Sequence, residues 1–248
     1  MTNIFSENKL DGVSLTTVVI GASGGLGSCV CRRALNRGWN VIGMSRGPFP
    51  LSESEMGLHG GNLCFLPVDL GDPVSVLHAA AQIKEKTRCL NGIVNCAGIV
   101  LGRNDGLDTL DMDDVRRSME INVYGPMELI RRLLPLIRRG FPAGIVNVSS
   151  SAAAIPGTRG IDYPYSVSKC ALNMFTEKLR VSLQDTHVHV AAIHPGWMKT
   201  TMGGPGAQVE PSEVADYILD IVCGEKTVTA VPAFVNRFGQ PVQNRNEI

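Results

Sequence analysis

The sequence has no charge excess: Lys plus Arg and Asp plus Glu are equal at 23 each. Without an overall field, neither a nucleic acid nor an anionic membrane surface is an expected partner. Aromatic residues are sparse, 5% of the chain, and none interleaves with the paired arginines Arg131, Arg132, Arg138 and Arg139. That basic face reads as solvated or as a subunit contact rather than as a base-stacking surface. No run approaches the ~18 apolar residues of a membrane span. Met1 to Asp11 is polar and lacks the basic-then-apolar order of a leader, so a soluble cytoplasmic protein is expected. The seven cysteines are odd in number and have neither CxxC nor metal-ligand spacing, which argues against a disulfide framework and a metal centre. Most sit inside apolar runs and read as reduced core residues. There is no internal repeat and no low-complexity tract.

What is present is a rhythm. The chain of 248 residues, 44% hydrophobic, is long enough for one large α/β domain, and no composition shift divides it. Short β-branched runs alternate with amphipathic stretches, which predicts a single doubly wound parallel sheet of about seven strands with helices on both faces, a Rossmann fold spanning 1–248. The predicted strands are Thr16 to Ile20, Asn40 to Met44, Asn62 to Pro67, Gly92 to Asn95, Gly144 to Val148, Val188 to Ile193 and Thr227 to Val231. Pro48 to Gly61 reads as a connection. Asp72 and Pro73 open one helix, as cap and first position. Asp111 to Arg139 carries a long helical pattern broken near Gly125-Pro126, Pro164 to Leu183 another helix, and Pro211 to Cys223 a short one capped by Ser212. The tail from Asn236 is polar and reads as frayed.

In such a sheet ligands bind at the carboxyl ends of the strands, and the chemistry-bearing residues lie there. Gly21-Ala22-Ser23-Gly24-Gly25-Leu26-Gly27 joins the first strand to a helix. Glycines allow the tight turn and a close backbone approach, and the free N–H groups of the new helix face an anion, so the loop reads as a phosphate cradle. The second strand ends in Ser45-Arg46. A carboxylate there would accept from a ribose 2′-hydroxyl; Arg46 instead can pair with a 2′-phosphate, or is a solvated surface arginine. After the third strand, Asp69 and Leu70 flank an adenine site in one reading, while in the other Asp69 is a turn residue. Asn95-Cys96-Ala97-Gly98 provides small residues that let a loop approach a flat ligand.

Ser149-Ser150-Ser151 follows the fifth strand. A serine here, Ser150 being fifteen residues before Tyr165, can hydrogen-bond an oxygen that Tyr165 protonates. Tyr165 and Lys169 are one helical turn apart, about 40° around the axis. The ammonium can therefore stabilise the phenolate, whose unperturbed pKa of about 10 otherwise makes it a sluggish acid near neutrality. The loop His194 to Thr200 closes the set. Val100, Leu101, Ile155, Trp197 and Met202 are candidate substrate contacts and give a largely apolar pocket.

These residues together resemble the short-chain dehydrogenases/reductases of the NADP-dependent carbonyl reductase type, over nearly the whole chain. The motifs are GxxxGxG at Gly21, Asn95-Cys96-Ala97-Gly98 where the family usually has Asn-Asn-Ala-Gly, Asn122 in Ile-Asn-Val, Ser150 after Ile-Val-Asn-Val-Ser, Tyr165-xxx-Lys169 and Pro195-Gly196-xxx-Thr200. The stretch His194 to Gly204 is most similar to C-factor and sniffer-type members. The resemblance implies NADP(H) as cofactor, a small carbonyl or alcohol substrate, and a homodimer or homotetramer formed through helices whose outer faces carry Leu129, Leu133, Leu172 and Phe175. It assigns Tyr165 as general acid-base and Lys169 as the group that lowers its pKa and holds the nicotinamide ribose. Ser150 orients the carbonyl, with Ser149 and Ser151 as alternatives, and Asn122 holds a water in the proton relay. Cofactor contacts fall on Gly21, Ser23, Gly25, Leu26, Gly27, Ser45, Arg46, Asp69, Leu70, Asn95, Ala97, Gly98, Tyr165, Lys169, Pro195, Gly196, Met198 and Thr200.

Other readings compete. Gly21 to Gly25 also matches GxSxG, with Ser23 as nucleophile and His187, His189 or His194 as base. Against it, no upstream strand and loop exist to supply the second oxyanion N–H. A non-catalytic NADP-binding sensor fits the glycine loop and Arg46 but gives no reason for Asn, Ser, Tyr and Lys to converge. Epimerase and dehydratase chemistry also occur within the family.

Overall fold

A computed structural model describes residues 14–48, 61–137 and 142–246. Residues 49–60 of the Pro48 to Gly61 connection, Arg138, Arg139 and the polar N-terminus lie outside the described residues. Seven strands, β1 (Thr16–Ile20), β2 (Asn40–Ser45), β3 (Leu63–Pro67), β4 (Gly92–Asn95), β5 (Ala143–Val148), β6 (Val188–His194) and β7 (Phe234–Asn236), form one sheet in the order 3-2-1-4-5-6-7. Every pairing is parallel. The order reverses between β1 and β4, which opens a crevice at their carboxyl ends.

The strands are apolar on both sides because both sides are covered. Val18 and Ile20 face a core shared with α2 (Pro73–Lys86), α4 (Gly125–Leu133) and α5 (Tyr163–Ser182), whereas Val19 faces a second core shared with α1 (Gly25–Asn36) and α6 (Pro211–Val222). A strand alternates its side chains with period two, so consecutive apolar residues supply both layers. Asp72 caps α2 by accepting from the Val74 N–H, and Pro73 follows it at the first turn, as the sequence predicts.

Five expectations change. The seventh strand is Phe234–Asn236, not Thr227 to Val231; Val228 and Ala230 use their apolar side chains to pack on the second core without joining the ladder. The helical pattern does not break at Gly125-Pro126. It runs from α3 (Met112–Met119) through a π-helical turn, Glu120–Tyr124, into α4, and Pro126 falls in α4's first turn, where it is tolerated. Helix α6 has Glu210 at its cap position and Pro211 behind it, with no side-chain cap, so Ser212 does not serve there. Tyr163 is inside α5, at its first residue. The tail is packed: the Arg245 N–H donates to the Pro156 carbonyl at 3.0 Å, and its guanidinium pairs with Asp162 at 2.8 Å. No helix among the described residues is long and apolar enough to cross a membrane.

Candidate active site

Two cavities meet at the carboxyl edge of the sheet. The larger, about 1150 Å³, runs from the glycine loop past Ser45, Arg46, Asp69 and Leu70. The smaller, about 550 Å³, holds Ser150, Tyr165, Lys169 and Trp197. Leu26, Cys96, Ala97, Gly98, Met198 and Thr200 line both, so they form one groove.

The larger cavity is built by close approach. Gly21 has φ +81°, and a Cβ there would lie 2.8 Å from the Ala97 nitrogen. A Cβ on Gly27 would strike the Gly21 carbonyl oxygen, and one on Gly25 the Thr200 side chain. Only hydrogen atoms fit, which leaves the backbone exposed to a ligand. Gly24 stands at the N-cap of α1 with no side-chain cap, and the first turn carries no acidic residue. Its N–H groups and positive dipole end are thus free for an anion. Arg46 is exposed on the groove wall, while Ser45 donates to the Gly47 carbonyl at 2.8 Å. Asp69 lines the groove and closes a turn, accepting from the Gly71 N–H at 2.9 Å. A cradle of glycines, a bare helix N-terminus and an arginine at the far end fit a phosphorylated dinucleotide.

In the smaller cavity Lys169 is buried, and its Nζ donates to the Val148 carbonyl at 2.9 Å. Burial disfavours the ammonium and lowers its pKa from 10.5 to about 8. Nζ stands 5.8 Å from the Tyr165 ring centroid. Tyr165 itself is pushed above its ordinary value by desolvation, partly countered by a hydrogen bond from Ser150 and by the fields of Arg103 and Arg245. The expectation that Lys169 depresses the phenol is therefore not met: desolvation dominates, and the lysine spends its hydrogen bond on a main-chain carbonyl.

Of the three serines, Ser150 is the one whose hydroxyl meets Tyr165; it also accepts from the Ala152 N–H at 3.2 Å. The Ser149 hydroxyl is buried with no partner among the described residues, and the Ser151 N–H donates to His194 Nδ1 at 3.1 Å. Asn122, fully buried in the π-helical turn, clamps the Ile99 backbone in both directions, at 2.8 and 3.0 Å, and donates to Ser168 Oγ at 2.9 Å. It does not line either cavity, although a Cβ on Gly98 would lie 3.5 Å from its Oδ1 and 3.2 Å from Lys169 Nζ.

Asn95 is also behind the wall rather than on it. It is fully buried, donates to Asn147 Oδ1 at 3.0 Å and accepts from the Ala97 N–H at 3.2 Å. Asn147 in turn donates to Thr176 Oγ1 at 3.0 Å, which ties β4, β5 and α5 together beneath the site. Asn95 thus shapes the loop that touches the groove. The remaining nominated cofactor positions line one cavity or the other, Pro195 and Gly196 only the smaller. Ile155 is 75% exposed and lines neither, while Val100 and Met202 line both, Trp197 the smaller and Leu101 the larger. Sequence reasoning missed Arg103, which lines both cavities, and Arg245, which borders the smaller; Arg159 and Asp162, in the segment Ile155 to Asp162 that the sequence places around a substrate pocket, border the smaller as well.

Fold and groove together define a nucleotide-binding α/β protein of the doubly wound kind. The chain belongs to the short-chain dehydrogenase family, whose model, described as short chain dehydrogenase, matches residues 15–210. It is 31% identical over 204 residues to 1-hydroxy-2-glutathionyl-2-methyl-3-butene dehydrogenase of Rhodococcus sp., covering 81% of this chain and 87% of that one. It is 30% identical over 199 residues to 17-beta-hydroxysteroid dehydrogenase type 2 of Homo sapiens, covering 79% of this chain but only half of that relative's length. Among solved structures it is similar to an NADPH-bound carbonyl reductase from chicken fatty liver, with TM-score 0.76 and 27% identity over 92% of this chain and 99% of that one.

Proposed function

We propose that this chain is an NADP(H)-dependent oxidoreductase of the carbonyl reductase type, interconverting a carbonyl and an alcohol on a small substrate, with both sites in one folded domain. The observation that carries this reading is the single groove in which a phosphate cradle and Arg46 continue into a cavity holding Ser150, Tyr165 and Lys169. When bound, NADPH supplies the hydride. Ser150 orients the substrate oxygen, and Tyr165 donates its proton to that oxygen. The desolvated phenol keeps its proton near neutrality, as an acid for reduction must. Lys169 would hold the ribose hydroxyls of the bound cofactor beside the phenol. Asn122 fixes the loop at Ile99. A panel of aldehydes and ketones followed by NADPH absorbance tests the reading. Epimerase or dehydratase chemistry would appear instead as turnover without net NADPH loss.

Arg46→Asp is expected to move the preference from NADP(H) toward NAD(H), because a carboxylate repels the 2′-phosphate and can accept from a free 2′-hydroxyl. Equal use of both cofactors by the unmutated protein contradicts this.

Lys169 also sets a pH dependence. Its folded pKa is lowered to about 8, so the ammonium is present below that pH and lost above it. NADPH affinity should weaken as pH rises through about 8, and Lys169→Met should bind weakly with a flat profile. Fluorescence titration over roughly pH 7 to 10, the range spanning a perturbed and an ordinary lysine, checks it; a flat profile in the unmutated protein rejects it.

A homodimer or homotetramer is proposed through α4 and α5, but not by the residues first nominated. Leu129, Leu133 and Leu172 are fully buried within the chain and Phe175 packs against the core. The apolar residues left outside are Tyr124 and Met127 on the first helical stretch and Val167, Met174 and Val181 on α5. Pairing these faces would cover them. A monomer by light scattering at micromolar concentration rejects the proposal.

A further inference from the structure

The smaller cavity is more cationic than a site for a neutral carbonyl compound requires. Its wall holds Arg103, Arg159, Arg245 and Lys169, in a chain whose formal charges sum to zero. Asp162 is the carboxylate among its lining residues, and it is consumed locally. It pairs with Arg245 at 2.8 Å and accepts from the Asn104 N–H at 2.9 Å. Arg103 meets only a main-chain carbonyl, donating to Met202 at 3.2 Å. Arg159 is exposed and has no hydrogen-bond or ion-pair partner among the described residues. Arg103 and Arg159 thus border the cavity without a direct ion pair among the described residues.

Their position relative to the chemistry is also visible. The field of Arg103 reaches both the Tyr165 phenol and the Asp162 carboxylate, so it acts within the reacting end of the cavity. Val100, Ala152, Trp197 and Met202 supply apolar lining of the same cavity. A guanidinium presents a planar fork of donors that matches a carboxylate in two parallel hydrogen bonds, and a partly enclosed cavity strengthens that pairing.

We infer that the substrate of this site is an oxo acid: a carbonyl compound whose carboxylate is held by Arg103 and Arg159 while its apolar body lies against Trp197 and its carbonyl faces Tyr165 and Ser150. This rests on the carbonyl-reductase reading of the same site and gives its substrate a charge. Arg245, already neutralised by Asp162, holds the rim in place and does not bind the carboxylate.

Binding separates this inference from the reading beneath it. Trp197 lines the cavity and reports occupancy by fluorescence. Phenylglyoxylate, 4-oxo-4-phenylbutanoate and 5-oxo-5-phenylpentanoate, each beside its methyl ester, are titrated into the NADP⁺-loaded protein at low and high salt. At least one acid should bind about tenfold or more tightly than its ester, with the advantage shrinking in salt. The acid-to-ester ratio should fall toward one in Arg103→Gln and, separately, in Arg159→Gln; the exposed, unpartnered Arg159 makes the second a variant whose folding is not at issue. Acids and esters binding alike throughout, or an acid preference surviving both substitutions together, overturns the inference. Arginine-dependent acid binding without any NADPH oxidation would leave a carboxylate-binding site but remove the reductase reading and, with it, the oxo acid as substrate. Reduction of esters as efficiently as acids would overturn the inference and leave that reading standing.

Discussion

Replacing Tyr165 with phenylalanine is expected to lower kcat for carbonyl reduction by about a hundredfold to ten-thousandfold, the range that a positioned acid-base group supplies. NADPH binding should stay close to that of the unmutated protein, because the phenol acts on the substrate oxygen and not on the phosphates. Tyr163 is the internal control. It lies in the same helix, two residues earlier, but at about 100° per residue it stands about 240° around the axis from Lys169. Tyr163→Phe should therefore alter substrate affinity at most. Steady-state kinetics beside NADPH fluorescence titration measures both. A Tyr165→Phe enzyme that keeps most of its kcat would remove the acid-base role, and a loss confined to NADPH affinity would reassign Tyr165 to the cofactor.

The second large effect is expected at Gly27. A Cβ there meets the Gly21 carbonyl oxygen, a main-chain atom that no rotamer change can move aside. Gly27→Ala should cost at least the upper end of the roughly 1–3 kcal/mol of an overpacked site. For a chain of this size that is a fall in Tm of about 6–12 °C. NADPH affinity should drop more than tenfold as the loop is forced out of shape. Gly160→Ala provides the contrast, since nothing lies within 4 Å of a Cβ at that position. Equal melting points and equal NADPH affinities for the two variants would contradict the close-packed cradle.

Most of the sheet is legible in the sequence, because a strand buried on both faces must be apolar at consecutive positions. Runs such as Thr16 to Ile20 and Gly92 to Asn95 admit few other placements. The cradle is legible for a related reason: glycines spaced as Gly21, Gly25 and Gly27 are explained by backbone contact and by little else. Thr227 to Val231 shows the limit. Only Val228 and Ala230 of the segment pack on the second core, Val231 being 75% exposed, and ladder membership depends on which segment lies beside β6, a fact no local pattern contains. The helix faces fail similarly. Leu129 and Met127 are both apolar, and only the direction of the core decides that Leu129 is hidden and Met127 exposed.

The site divides along the same line. Ser150, Tyr165 and Lys169 are found from spacing, because one strand end and one helical turn fix them relative to each other. The resemblance places Asn95 at the cofactor, yet its side chain turns inward to Asn147, and nothing in the local sequence distinguishes the two directions. Arg103 and Arg245 escaped notice because each is an ordinary polar residue in its own segment. They become part of one cavity only when the tail packs against Pro156 and Asp162.

The central claim is that hydride passes between NADP(H) and a substrate carbonyl at the Tyr165 site. Its most direct test is isotope transfer: the protein is supplied with NADPH deuterated at the transferring position and with a carbonyl compound it reduces, and the alcohol is analysed by mass spectrometry. The account predicts one deuterium on the carbinol carbon for each cofactor oxidised, lost together with turnover in Tyr165→Phe. Alcohol formed without deuterium, or deuterium transferred undiminished by the Tyr165→Phe protein, would contradict it.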